Sequence, residues 1–451
     1  MVELFGRDWT RSELLSRVGR LEQVAGIELV EGGDGAERGV RFLRVRSGSG
    51  FEIEILVDRG FDIGRAAFGG APLAWWSPVG ALGPWYYDSS GLEWFRGFPG
   101  GLLSTCGLDH TLLGGPDDAS VFDFPHRAVE TYGLHGRYTG LPARLGGYGT
   151  TWDGDEATIW AEGEVRQVAV FGEQLEMQRR IEVPVGGAAV RVIDKVTNIG
   201  PTKCPHMLLY HCNIGWPVVE GGSELVYPSG PGECVSDARS EDYAHLEDPQ
   251  APYVEQCYEH DMIPAADGFV TAAVINRRRQ LGVYQRYRKT ALPQHITWRQ
   301  LGHGSYVVAM EPSTNHDAGR FDARERGELQ FLAPGESREY SIELGALSGA
   351  QQIADFDAAV ARARSSPDER RRGRGGTRAA AERRGEHRGL DEIGRRSADP
   401  SRPRLLGARR SDGRTVLSRV YRWRPAGQGR CGVWSARRCP RDGRGAAPVP
   451  G

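Results

Sequence analysis

The chain has 451 residues and a formal charge of −2, a near-zero figure that averages two unlike parts. From residue 361 onward there are 25 Arg, no Lys and 9 acidic residues, a net +16, so residues 1–360 carry −18. An acidic body of this size can bury roughly three quarters of its unfolded surface in a large core, and it offers no basic surface for nucleic acid.

No run of about 18 apolar residues is present to span a membrane, and the N-terminus lacks the basic-then-apolar order of a secretory signal. The expectation is a cytoplasmic protein whose partner is a small molecule. Seven cysteines form no Cys-x-x-Cys pair, which argues for reduced, mostly buried thiols and against a disulfide framework or a thiolate zinc site.

Thr10-Arg-Ser-Glu13 fits a capping box, and Leu14, Leu15, Val18, Leu21 and Val24 follow at helical spacing, so an amphipathic helix is predicted to open the chain. Period two then takes over. Phe51–Val57, Ala157–Val168, Gln174–Val185, Ala189–Val196, Met207–Asn213, Phe269–Ile275, Leu281–Tyr287, Tyr306–Met310, Glu328–Leu332 and Glu339–Leu344 alternate apolar with polar residues, and Gly, Pro or Asn clusters separate most of them. Many strands with few helices predict an all-β, antiparallel sandwich or barrel. Residues 70–150, rich in Gly, Pro and aromatics, are too long for an idle loop and are expected to carry function.

A closing helix is predicted over Ala350–Arg364. Residues 1–360 are therefore read as the folded body and 361–451 as a disordered basic tail, too poor in apolar residues to offset its chain entropy. Its Arg, Gly, Pro and Ala bias without Lys reads either as a basic arm or as GC-rich DNA translated out of frame.

The strongest chemical signal is a set of polar residues on apolar strands. In Met207–Pro217, His211 shares a face with Met207, Leu209 and Asn213. In Tyr306–Asn315, Glu311 precedes Pro312, which is expected to end the strand. A carboxylate on a core strand is costly unless paired or functional, and burial raises its pKa toward that of a useful general base, with a nearby His as general acid. A structural histidine and a structural ion pair are the plainer alternatives. His135 and Arg137, set among Gly133 and Gly136, supply donors where a backbone can approach a ligand closely; a surface turn is the alternative. Eight aromatic residues between Trp75 and Phe98 offer flat faces for sugar rings as well as core filling.

Phosphate-binding, dinucleotide, zincin and α/β-hydrolase motifs are missing from the sequence, and its histidines show no metal-ligand spacing, so neither a cofactor nor a metal is expected.

In this order, Asp58-Arg-Gly-Phe-Asp-Ile63, Leu103-Ser-Thr-Cys-Gly-Leu108, Leu134-His-Gly-Arg137, Tyr210-His-Cys-Asn-Ile-Gly-Trp-Pro217, Met310-Glu-Pro-Ser-Thr-Asn315 and Leu332-Ala-Pro-Gly-Glu336 resemble the aldose 1-epimerase superfamily. Within it, the chain is most similar to a bacterial branch labelled as a domain of unknown function. The resemblance covers roughly residues 10–350. It implies a large galactose-mutarotase-like β-supersandwich, a monosaccharide or sugar-derivative ligand, and interconversion of anomers through ring opening. It further implies Glu311 as general base and His211 as general acid, with His135 and Arg137 as the sugar-contacting pair, Trp298 as a stacking platform and Asp109 as a candidate substrate-binding carboxylate.

The sequence departs from typical galactose mutarotases at His211-Cys-Asn-Ile and at Gly136-Arg137. An Arg at that place suits an acidic or phosphorylated sugar as well as a neutral one. Two further readings of the same fold are a carbohydrate-binding module without catalysis and a lyase or isomerase of modified sugars.

Overall fold

The computed structural model describes residues 1–230, 232–235 and 242–365; the predicted basic tail lies, from residue 366 on, outside the described residues. The predicted alternation becomes three large antiparallel sheets, beside two two-stranded hairpins, Val2–Leu4 with Arg7–Trp9 and Gly115–Asp118 with Val129–Tyr132. Gly26–Glu31, Arg41–Arg46, Phe51–Leu56, Asp62–Phe68 and Ala71–Pro72 follow one another as a meander. An eight-stranded sheet runs in spatial order Arg144–Asp153, Glu156–Val168, Gln174–Pro184, Ala189–Asn198, Ser337–Ser348, Leu281–Arg288, Phe269–Asn276 and Glu224–Val226.

The third sheet is the one that matters for function. Its order is Glu233–Cys234, Gln256–Glu259, Gln294–Gly302, Ser305–Ser313, Cys204–Gly215 and Gln330–Leu332, with Ser104–Leu108 pairing Cys204–Gly215 as well. All twelve residues of Cys204–Gly215 are buried, as expected of a strand covered on both faces.

Strand periodicity explains the packing. Along Glu156–Val168 every second residue is buried and its neighbours are partly or fully exposed, so one face enters the core and the other meets solvent. The core gathers residues of all three sheets, among them Ile55, Phe61, Val165, Met177, Val192, Tyr210, Val274, Val308 and Leu344.

Beneath it lies an ionic cluster. Arg179, fully buried, donates through Nε and Nη2 to Asp194 (2.8 and 2.7 Å), through Nη1 to Asp62 (2.6 Å) and through Nη2 to Thr105 (2.8 Å). Tyr210 donates its hydroxyl to the same Asp194. This cluster joins the meander, the eight-stranded sheet and the Ser104–Leu108 strand behind His211.

Two expectations need correction. The capping box forms, with Thr10 Oγ1 accepting the Glu13 N–H at 3.2 Å and Glu13 accepting the Thr10 N–H at 3.0 Å, but the helix it starts is only Arg11–Leu15 and follows a hairpin, Val2–Leu4 with Arg7–Trp9. The Ser16 hydroxyl and the Arg17 guanidinium take the Glu13 carbonyl at 2.7 and 2.6 Å, ending the helical ladder before Gly19, while Leu14, Val18 and Leu21 still reach the core.

The second concerns Pro312, which does not end its strand. Ser305–Ser313 continues through it, with Pro312 opposite His295 and Ser313 opposite Gln294. The missing N–H is felt instead on the other side, as described below. The closing helix, Ala350–Arg364, lies where the sequence predicts it and packs Ile353, Phe356 and Val360 against Ala273, Ile275 and Leu347. No helix among the described residues is long and apolar enough to cross a membrane.

Candidate active site

His211 and Glu311 occupy neighbouring strands. Leu209 stands opposite Ser313 and Cys212 opposite Met310, a register that sets His211 directly across from Glu311 and Tyr210 across from Pro312. The paired residues resume on both sides of those two positions but not at them, because proline has no N–H to give to the ladder. Alternation sends Tyr210 back to Asp194 and His211 to the opposite face.

His211 Nε2 is 3.4 Å from Glu311 Oε1, and the two residues are 4% and 2% exposed. The contact falls short of an aligned hydrogen bond. Glu311 Oε1 and His211 Nδ1 are buried with no hydrogen-bond partner among the described residues. Orphaned polar atoms in a core are costly, and a site that tolerates them is shaped for a group that would satisfy them.

The surroundings are aromatic. Phe98 lies 5.2 Å and Trp94 6.0 Å from the His211 ring between centroids, and these two rings stack on each other at 4.1 Å. Trp298, half-buried, lies 5.6 Å away on the third side; it stands two residues from Ile296, which is itself opposite Glu311. Leu209, Cys106, Leu112, Leu134 and Ile296 complete the apolar lining. Trp94 and Phe98, from the aromatic run at 75–98, are thus partners of His211 as well as core.

His135 comes from the long segment at 70–150. Its ring centroid is 5.6 Å from that of His211 and 4.6 Å from that of Trp94. The residue holds a left-handed φ of +57° and is fixed on three sides: its N–H donates to the Leu112 carbonyl (2.9 Å), its Nδ1 accepts the Leu112 N–H (3.3 Å), and its carbonyl accepts the Gly107 N–H (3.2 Å). Gly136 follows at φ +76°, where a Cβ would meet the His110 and Gly107 carbonyl oxygens at 2.6 and 2.7 Å. Since Nδ1 accepts, the neutral ring carries its proton on Nε2.

Burial dominates the electrostatics. It pushes His211 down to about 4 and His135 well below the usual imidazole range, with the neighbouring His211 and His110 adding to the latter. It drives Glu311 well above the usual carboxylate range, helped by the charges of Asp317 and Glu255. Burial thus favours a proton on the carboxyl beside a neutral imidazole. This is the opposite tautomer to an ionised base beside a protonated acid.

Arg137 and Asp109 are engaged elsewhere. The Arg137 guanidinium donates to Glu130 (2.8 Å) and Glu173 (3.1 Å), while Asp109 accepts from Gln167 (2.6 Å). Burial and the Asp109 charge raise Glu173 to about 7, with Arg137 opposing. The structure thus groups His211, Glu311, His135 and Trp298, and places Arg137 and Asp109 in a second polar network.

Sequence reading passed over Asp317 and Glu255, although Asp317 lies only two residues past the Met310–Asn315 motif. It also passed over the Arg179 cluster, whose signal was an arginine at an inward position between Met177 and Ile181. Among the described residues no group of three or more His, Cys, Asp or Glu is arranged to hold a metal. Cys106, Cys204 and Cys212 are buried thiols.

The comparisons with known proteins agree with this architecture. The family model described as a domain of unknown function, DUF4432, matches residues 37–346. No curated protein matches. Among solved structures, a provisionally named aldose 1-epimerase from Klebsiella pneumoniae superposes with a TM-score of 0.68 at 22% identity, covering 75% of this chain and 88% of its own. A galactose mutarotase-like protein from Clostridium acetobutylicum gives 0.49 at 12% identity, covering 72% and 99%. With the three large antiparallel sheets in place and the family model spanning most of the described body, the chain belongs to the DUF4432 family and has a galactose-mutarotase-like fold.

Proposed function

We propose that this chain is an isomerase that interconverts the anomers of an aldose or a close sugar derivative. The observation that carries the proposal is the juxtaposition of His211 Nε2 and Glu311 Oε1 at 3.4 Å, both buried, among aromatic rings. A buried acid and base sharing one proton can relay protons to two oxygens of one ring without any redox partner.

In ring opening the Glu311 carboxyl gives its proton to the ring oxygen as the bond from that oxygen to the anomeric carbon breaks. Neutral His211 takes the anomeric hydroxyl proton as the carbonyl forms. The aldehyde turns about the adjacent carbon–carbon bond, and reclosure returns both protons by the reverse path. The alternative assignment, Glu311 as base and His211 as acid, is the other tautomer of the same pair and conserves the same proton count. The Nε2–H of His135 donates to a sugar hydroxyl, and the Trp298 face takes the apolar side of the ring.

The test is one-dimensional proton NMR of anomer exchange in freshly dissolved α-glucose and α-galactose, with the native chain and with Glu311→Gln. The expected result is acceleration by the native chain that is lost in the variant, with sugar-induced line broadening kept in both. Exchange at the buffer rate despite line broadening would establish a carbohydrate-binding module instead.

A further inference from the structure

We propose that the mouth of this site excludes anionic sugars and admits uncharged or protonated amino sugars, and that Glu255 and Asp317 set the preference. The inference rests on the sugar-binding reading above and names its substrate class.

Acidic groups extend outward from Glu311. Glu255, exposed, accepts the Trp298 indole N–H at 2.8 Å, and Trp298 in turn lies 5.6 Å from the His211 ring. Asp317, half-buried, follows the Glu311 strand and donates its backbone N–H to Glu259. Both Asp317 and Glu255 act on Glu311 as like charges, and burial with Glu259 and Glu255 raises Asp317 itself to about 6.

Among the described residues, the nearby cations are already engaged. Arg137 is held by Glu130 and Glu173. His316 Nδ1 is 3.2 Å from Glu259. Arg299, next to Trp298 in sequence, points to the other face and donates to the Asp242, Tyr243 and His245 carbonyls and to Glu247. A carboxylate or phosphate entering beside Trp298 would lose hydration, meet like charge and, among the described residues, find no unpaired guanidinium. The orphaned Glu311 Oε1 marks where a hydroxyl, a donor without charge, belongs.

The experiment uses the full chain and matched sugars: galactose, galacturonate and galactosamine, then glucose, glucuronate and glucose 6-phosphate. Anomer exchange is read by NMR for the native chain, Glu255→Gln, Asp317→Asn and the double variant. Gln keeps an acceptor for the Trp298 indole, so it separates charge from positioning. The expected result is kcat/KM for the acids about tenfold or more below the neutral sugars, a gap that narrows several-fold in the double variant and with added salt. Equal turnover of acids and neutral sugars by the native chain, or a gap unmoved in the double variant, would overturn the proposal. If no sugar exchanges faster than in buffer, mutarotation fails and line-broadening titrations of the same sugars decide. Weaker binding of the acids, relieved in the double variant, still supports charge selection; equal binding, or none, overturns it.

Discussion

His211 and Glu311 face each other across adjacent antiparallel strands, Nε2 to Oε1 3.4 Å apart, at the one point of that ladder where Pro312 withholds a hydrogen bond. Tyr210 on the far face is tied to Asp194, so the imidazole's direction is set by the core rather than by the pocket. A buried acid–base pair thus has a rigid support, as proton transfer to a bound ring requires.

Removing either partner should stop chemistry more than binding. For His211→Asn and Glu311→Gln, kcat for anomer exchange is expected to fall by roughly 10²–10⁴, while sugar titrations followed by line broadening change by far less. A matching loss of binding would show that the pair holds the sugar instead of moving its protons.

The pH profile follows from the shared proton. His211, held down to about 4, stays neutral through neutral pH, and Glu311 keeps its proton well beyond the usual carboxylate range. Exchange rates should be flat through neutral pH and fall on the acid side with a midpoint near 4, read in brief pH jumps that outrun unfolding. An acid limb centred at the ordinary imidazole value, about 6.5, would contradict this electrostatic account.

Folding stability should weaken in mild acid. His110 and His260 are pushed down to about 3, His206 and His211 to about 4, in each case mainly by burial. A depressed folded-state value means that the stabilisation is complete above about 6.5 and is lost as pH falls toward 4 and 3, because the unfolded chain binds protons that the folded one refuses. Between pH 6.5 and 5.5 each such histidine lowers stability by about 1 kcal/mol, on the order of 4 kcal/mol for four, and the raised carboxyls Glu311, Glu173 and Asp317, which take up protons first in the folded chain, offset part of that loss. Urea midpoints across that interval, compared between the native chain and His260→Phe, check the histidine part; the same pH slope in both would mean that the His260 imidazole is not buried neutral.

The ionic cluster behind the site should be sensitive to losing one member. Arg179→Met leaves Asp62 and Asp194 buried without their cation and is expected to cost about 3–5 kcal/mol in denaturant unfolding. A loss below about 1 kcal/mol would place solvent at this cluster.

Gly136→Ala should act on His135. The position needs φ +76° and has carbonyl oxygens 2.6 and 2.7 Å from a prospective Cβ, so the turn must shift. A cost on the order of 2–3 kcal/mol is expected in thermal unfolding, together with weaker sugar binding. Unchanged affinity would remove His135 from the binding surface.

Much of the fold was legible in the sequence because side chains in a half-buried strand must alternate, and the runs at Ala157–Val168, Gln174–Val185, Ala189–Val196 and Phe269–Ile275 each became strands of one sheet. The closing helix was legible for the same reason, its apolar face repeating at helical spacing. His211 and Glu311 stood out because polar side chains on apolar strands demand an explanation. What the sequence could not supply was who faces whom. Strand register put His211 across from Glu311, and burial then favoured the proton on the carboxyl. Arg137 was spent on Glu130 and Glu173, Asp317 was tied to Glu259 and Glu255 to Trp298, by contacts between residues 7 to 58 positions apart. Charge pairing and desolvation depend on those distances in space, and only the tertiary structure decides them.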